Sequence, residues 1–311
     1  ILMENLAHQI GLTSVAPEYV THAKQILDQA EECVEKGEFD RAVKCFQQAA
    51  DAYEGANDGL EACLAYRSLS QLHVSNGNHL LAAEAYQRGF ELTEPMMGAD
   101  QLNGGYNNIM NMYADAEAYE RAEPWLLKTL ALEEKAAPRD VPSRMVASKC
   151  VNVAQFYGNA LEDDDKAIVF LLRARGIYEQ LNDDKGQLEC WSELFQIYTD
   201  IDDNPNAIIA YEGYVRIAEK QASQEVDRDQ LASALIYLGN FAFEAERWEE
   251  AQEFFQRSVT HREHLIGKDN LDKPNKLMSD AYYWLSLALA KLGRTDEAKL
   301  FDTKASAYLP E

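Results

Sequence analysis

The sequence predicts an all-α repeat array, and three observations predict it. A short pattern centred on an alanine returns seven times along 311 residues. Each copy sits among apolar residues spaced three and four apart, the period of a helix buried along one face. The chain carries only 8 prolines and 16 glycines, too few for long linkers or disordered tails.

The copies read GEFDRAVKCFQQA at 37–49, GNHLLAAEAYQRG at 77–89, EAYERAEPWLLKT at 117–129 and DDDKAIVFLLRA at 163–174. They continue as NPNAIIAYEGY at 204–214, ERWEEAQEFFQRS at 246–258 and GRTDEAKLFDTKA at 293–305. The alanines are Ala42, Ala82, Ala122, Ala167, Ala207, Ala251 and Ala298, spaced by 40, 40, 45, 40, 44 and 47 residues. Upstream of each lies a second helical segment, clearest at Trp191, Leu194 and Tyr198 and at Leu238-Gly239 before Phe241. The unit is therefore a helix pair, helix A then helix B. An N-terminal segment, 1–18, precedes a single array over 19–311. Its repeats fall near 23–56, 63–96, 103–136, 147–180, 188–221, 232–265 and 279–311.

This pattern resembles the tetratricopeptide repeat, a helix–turn–helix unit that stacks into a right-handed superhelix, an α-solenoid. Repeat 1 matches it with Gly37, Phe39, Ala42, Phe46 and Ala49, and repeat 6 with Leu238, Gly239, Trp248, Ala251 and Phe255. The two helices approach most closely at the alanine, so only a small side chain fits, and the aromatics fill the wider gap to the next repeat. The basic unit has about 34 residues; the longer period here implies helices about a turn longer. Repeat 4 needs one extra residue before Ala167. The long period resembles the arrays of kinesin light chains and of LGN/Pins polarity adaptors. The stretch HREHLIGKDNLDKPNKLMSDAYYWLSLALAKLGRTDEA at 261–298 resembles the kinesin light chain inter-repeat segment, with His264, Ile266 and Asn270 as departures. The soluble NSF attachment proteins are also arrays of this period, but their aromatic N-terminal loop and basic membrane-facing surface have no counterpart here.

Composition limits the partners. The formal net charge is −24, so nucleic acid and anionic membrane are poor partners, since both need clustered Lys and Arg. No run of about 18 apolar residues exists to span a membrane, and the start, ILMENLAHQIG, lacks the basic region of a secretory signal. The five cysteines, Cys33, Cys45, Cys63, Cys150 and Cys190, are odd in number, form no CxxC pair and lie in helical patterns. They read as small buried hydrophobes, which favours a reducing compartment such as the cytoplasm.

One stretch, YNNIMNMY at 106–113, places three asparagines in a helix. Asparagine is up to about 0.7 kcal/mol worse than alanine there. Counting from each alanine, the helix A residues that face the groove of such an array are Arg67, Ser68 and Gln71; then Asn107, Asn108 and Asn111; then Asn152 and Gln155. They continue as Ser192, Glu193 and Gln196; Ile236, Tyr237 and Asn240; and Tyr283, Trp284 and Leu287. Gln71, Asn111, Gln155, Gln196 and Asn240 thus share one register position in five consecutive repeats. A carboxamide offers two donors and an acceptor, so it pairs with both N–H and C=O of an extended peptide. Kinesin light chains and LGN-type adaptors use asparagine ladders of this kind, and the resemblance implies the same here. Two other readings stand beside it: amides that bond adjacent A helices to align the repeats, and a solvated face without a role. Asp28, Glu31, Glu35, Asp115, Glu189, Glu193, Asp200 and Glu244 fall on or near this face against Lys24, Arg67 and Lys291, which favours a ligand carrying Lys or Arg. Tyr237, Phe243, Tyr283 and Trp284 make its C-terminal end aromatic, as an anchoring pocket or as packing for a further helix.

No constellation for catalysis or for a cofactor is evident. His261 and His264 form an HxxH pair without a third metal ligand. The run Glu162-Asp163-Asp164-Asp165 lacks the spacing of a calcium loop and reads, like Asp183-Asp184 and Asp202-Asp203, as a turn that caps the next helix. No phosphate-cradling loop or nucleophile elbow occurs. The expectation is a non-catalytic adaptor or scaffold that binds an extended, basic peptide segment of a protein partner, with no nucleic acid, no membrane insertion and no metal. A self-assembling structural protein, a homo-oligomer stacked through its terminal repeats, and an adaptor for a vesicle-fusion ATPase are the alternatives.

Overall fold

The computed structural model describes residues 17–139, 141–221, 228–266 and 275–308. Over these the chain forms fourteen α-helices in seven pairs, with one 3-10 turn at Glu94–Met96. The pairs are α1 (Pro17–Glu35) with α2 (Phe39–Gly55), α3 (Gly59–Ser75) with α4 (His79–Thr93), and α5 (Ala99–Asp115) with α6 (Tyr119–Ala136). They continue as α7 (Arg144–Ala160) with α8 (Asp164–Gln180), α9 (Asp184–Asp200) with α10 (Asn204–Gln221), α11 (Arg228–Glu244) with α12 (Trp248–Ile266), and α13 (Lys276–Lys291) with α14 (Thr295–Ala307). Three pairs form one compact unit, residues 1–136, and four form a second, 137–311. Within each unit a helix B packs on its own helix A and on the next one.

The A helices begin a few residues before the expected repeat starts, because their capping residues lie further upstream. Asp58, Ser143, Asp183 and Asn275 each accept the backbone N–H three residues on. The first helix opens at Pro17, inside the segment set apart as 1–18. How residues 1–16 and the stretch holding Asn270 behave lies outside the described residues.

Each A-to-B turn has one residue in the left-handed region: Gly37, Gly77, Glu117, Glu162, Asp202, Glu246 and Gly293, at φ from 51 to 76°. This is the usual helix C-terminal stop. In six turns the next N–H bonds back five residues, as from Glu38 to Cys33 O at 2.9 Å. In repeat 4 it reaches back six, from Asp163 to Tyr157 O at 3.0 Å, which is the extra residue that the spacing requires before Ala167. The acidic turns cap as expected: Asp163 accepts from Lys166 N at 3.0 Å, Asp183 from Gly186 N at 3.1 Å and Asp203 from Asn206 N at 3.3 Å.

The seven anchor alanines are all buried. Of the pattern aromatics, Phe46 and Phe255 are buried, Trp248 is half-buried against Phe243, and Phe39 is exposed. Gly239 has a packing reason: a methyl there would overlap the ring of Phe255. Ser70, at the equivalent place in repeat 2, is small enough to fit and donates to Ala82 O at 2.8 Å.

Candidate functional site

In the first unit the predicted face lies on α3 and α5. Arg67, Gln71 and Asn111 are exposed, and among the described residues their side chains make no hydrogen bond or ion pair. They are open to a ligand. The other two asparagines are engaged. The Asn107 amide donates to Asn103 O at 2.8 Å and to Asn103 Oδ1 at 3.1 Å, one turn back on its own helix. The Asn108 amide donates to the Tyr86 hydroxyl on α4 at 3.1 Å. The three asparagines of YNNIMNMY thus differ: Asn111 is open, Asn107 satisfies its own helix, and Asn108 ties two helices together.

In the second unit the register continues on α7, α9 and α11, and the amides differ again. Asn152 is exposed. The Gln155 amide donates to Glu193 Oε1 at 2.6 Å, from α7 to α9. Burial raises the pKa of Glu193, the Gln155 bond lowers it, and the nearby Glu189 charge raises it. The Gln196 amide donates to both oxygens of Asp200 at 3.0 Å, one turn along α9. Asn240 on α11 is half-buried, and its Oδ1 is closed to solvent with no hydrogen-bond partner. A buried acceptor left unpaired costs about 1–3 kcal/mol, and this one lies beneath the surface of the face rather than on it.

The aromatic residues divide. Tyr237 and Tyr283 are 44% and 46% exposed. Trp284 is mostly enclosed: it stacks on Phe255 with centroids 5.9 Å apart and meets Phe243 edge-on at 6.1 Å. It belongs to the core of the last two repeats, and Tyr283 leans on its edge at 5.8 Å. Sequence counting missed Tyr211 of α10, whose ring lies between Phe195 at 4.3 Å and Tyr237 at 5.0 Å. Its place four residues after Ala207, where Phe46 and Phe255 stand in their repeats, was the available signal.

A cleft of about 500 Å³ between α4 and α6 is the main competitor, lined by Arg88, Arg121 and Lys128 over Trp125. Each of its cations is matched: Arg88 pairs with Glu54, Arg121 with Glu84, and Lys128 with Glu94 at 3.7 Å. It leaves no unmatched cation for an anionic ligand to satisfy. Among the described residues no three His, Cys, Asp or Glu side chains assemble for a metal. His261 turns to Glu219 at 3.9 Å while His264 is exposed. No described helix is long and apolar enough to cross a membrane.

Comparison with known proteins bears on the family. Models described as tetratricopeptide repeat match residues 27–90, 231–272 and 279–305. No curated protein matches the chain. Among solved structures, BtubC (BKLC) from P. vanneervenii is similar at 16% identity and a TM-score of 0.44, over 82% of this chain and 93% of that one. The kinesin light chain nearly identical TPR-like repeats of Podosopora anserina are similar at 15% identity and 0.44, over 68% and 96%. The apo form of RapI is similar at 12% identity and 0.49, over 91% and 75%. Likeness at this level says nothing of partner or activity. The three matched segments are tetratricopeptide repeats, and the seven helix pairs, each built around a buried alanine, make the chain an array of that type.

Proposed function

We propose that the chain is a non-catalytic protein-interaction scaffold that holds an extended segment of a partner protein along its A-helix faces. Helix-pair arrays offer long surfaces rather than enclosed pockets. The observation that carries this reading is the shared register of the amides, with Gln71 and Asn111 exposed and without a side-chain partner among the described residues. An extended backbone presents an N–H and a C=O at regular intervals, and amides at one register position meet them whatever the peptide sequence. On the second unit Glu189, Glu193, Asp200 and Glu244 face a single base, Lys291, which supports a basic segment as ligand. The free cysteines fit a reducing compartment, and we place the protein in the cytoplasm.

A second reading is favoured at one position. The bond from Gln155 to Glu193 joins α7 to α9, so that amide aligns repeats. The test separates the two roles. A random extended-peptide display library is panned against the wild type and against Asn111→Ala, Gln71→Ala and Gln155→Ala. Each of the first two weakens the enriched peptides by about 2–10-fold, the worth of one hydrogen bond, with the melting temperature little changed. Gln155→Ala lowers stability more than binding. Unchanged enrichment by Asn111→Ala and Gln71→Ala would count against the clamp. A mass that rises with concentration and ignores these substitutions would favour self-assembly instead.

A further inference from the structure

The chain holds two Asn-Gly pairs, Asn76-Gly77 and Asn103-Gly104. Asparagine is a chemically labile side chain. It is most labile before glycine, because the next backbone nitrogen attacks the carboxamide carbon and glycine has no Cβ to obstruct the approach. Whether the attack happens in the folded chain depends on what surrounds each pair, and the two pairs are held differently.

Asn76 and Gly77 lie in the turn from α3 to α4, where every residue from Val74 to Leu81 is exposed. Among the described residues the Asn76 side chain makes no hydrogen bond, and the hydroxyl of neighbouring Ser75 donates elsewhere, to Gln71 O at 3.0 Å. Gly77 stands at φ 73°, with nothing within 4 Å of where a methyl would go. Its N–H donates to Val74 O at 3.0 Å, a bond in a solvated turn that local fraying releases. Asn76 also opens onto a cleft of about 730 Å³ that it shares with Asn78, Glu38 and Asp40, so water reaches it.

Asn103 is the opposite case. It lies inside α5 and is half-buried. Its backbone carbonyl and its Oδ1 both accept from the Asn107 amide, at 2.8 and 3.1 Å. The Gly104 N–H belongs to the helix ladder, so α5 must open before that nitrogen meets the side chain.

We infer that Asn76 is a site of spontaneous deamidation in the folded chain and that Asn103 is not. The Gly77 nitrogen gives up its proton to solvent base and bonds to Asn76 Cγ. The Cγ–Nδ2 bond breaks, and the amide nitrogen takes a proton from water and leaves as ammonia. Water then opens the succinimide ring at either carbonyl, which leaves aspartate or isoaspartate at position 76. The sequence of steps needs no reactant but water. Either product puts a carboxylate at the negative end of the α3 dipole and into a cleft that already holds Glu38 and Asp40. Isoaspartate also adds a methylene to the main chain, in a turn held by the Gly77 bond and by Asn78 N donating to His73 O at 2.9 Å. The modified turn is therefore looser than the original.

The test ages the full chain in warm alkaline buffer and reads it by peptide mapping. Trypsin cuts after Arg67, Arg88 and Arg121, so the two pairs fall on separate peptides, 68–88 and 89–121. Fragmentation places each new acid, and isoaspartyl methyltransferase with labelled S-adenosylmethionine reports the isoaspartate. Asn76 converts in peptide 68–88, while Asn103 lags by about tenfold or more because α5 must open first. In concentrated urea the two convert at similar rates, since only the shared Asn-Gly sequence then acts. Asn76→Gln abolishes methyl acceptance by peptide 68–88. In the aged chain, amide hydrogen exchange quickens in the last turn of α3 and the first turn of α4. Conversion of Asn76 in urea but not in the folded chain, or folded-chain conversion of both asparagines at one rate, overturns the site. Unchanged exchange in chains that carry isoaspartate overturns the looser turn.

Discussion

A glycine in a helix is usually a loss of about 0.5–1 kcal/mol against alanine, but its neighbours decide the sign here. Gly176, inside α8, has nothing within 4 Å of where a methyl would go. Gly176→Ala therefore stabilises the second unit by about 0.5–1 kcal/mol. Gly239 faces the fully buried Phe255 ring, which has no room to retreat. Gly239→Ala gains the same propensity but costs about 1–3 kcal/mol in overpacking, so it destabilises. Urea midpoints of the two variants moving in opposite directions is the check. Glu193 gives a pH signature. Its folded pKa lies above the ordinary 4.5 because burial disfavours the charge. Its contribution to stability is full below 4.5 and is lost as pH rises through the folded value. Glu193→Gln removes that loss, and glutamine still accepts from Gln155. The variant is thus the more stable chain at about pH 7, and the gap closes near pH 4. Thermal melts at the two pH values read it.

At the scale of the helix pair, the turn chemistry makes its own predictions. Glu246 sits at φ 59°, where glycine stands in repeats 1, 2 and 7. Left-handed backbone costs a non-glycine residue about 1–2 kcal/mol, against about 0.4–1 for the entropy that glycine adds to the unfolded chain. Glu246→Gly therefore stabilises by about 0.5 kcal/mol, and a fall in the urea midpoint would contradict this. Asp183→Ala loses the cap on Gly186 N and costs about 0.5–2 kcal/mol. These elements were readable in the sequence because each depends on residues within one turn: the alanine, the capping acid and the extra residue of repeat 4. The site was readable only in register. That Gln155 would reach Glu193 and that Asn108 would reach Tyr86 depends on partners 38 and 22 residues away. No periodicity encodes the rotamers that decide such bonds. Trp284 shows the same limit: counting placed it on the face, but its bulk was drawn under it by Phe255 and Phe243.

Over the whole molecule, each unit has its own core, and a repeat array gains its stability from neighbours. Ala251→Leu would force a large side chain into a site with no exposure, costing about 1–3 kcal/mol. Hydrogen exchange should quicken in α11, α12 and α13, while α1 to α4 keep their protection. A uniform loss over both units would argue for a single cooperative block. The central claim, that A-helix amides grip a peptide backbone, is tested most directly by a double-mutant cycle. A peptide recovered by panning is N-methylated at successive positions, and each version is titrated against the wild type and against Asn111→Ala. The account predicts one position where methylation and Asn111→Ala are each costly but together cost no more than one alone, because both remove the same hydrogen bond. Losses that add at every position would mean that Asn111 does not touch the backbone, and the clamp would be wrong.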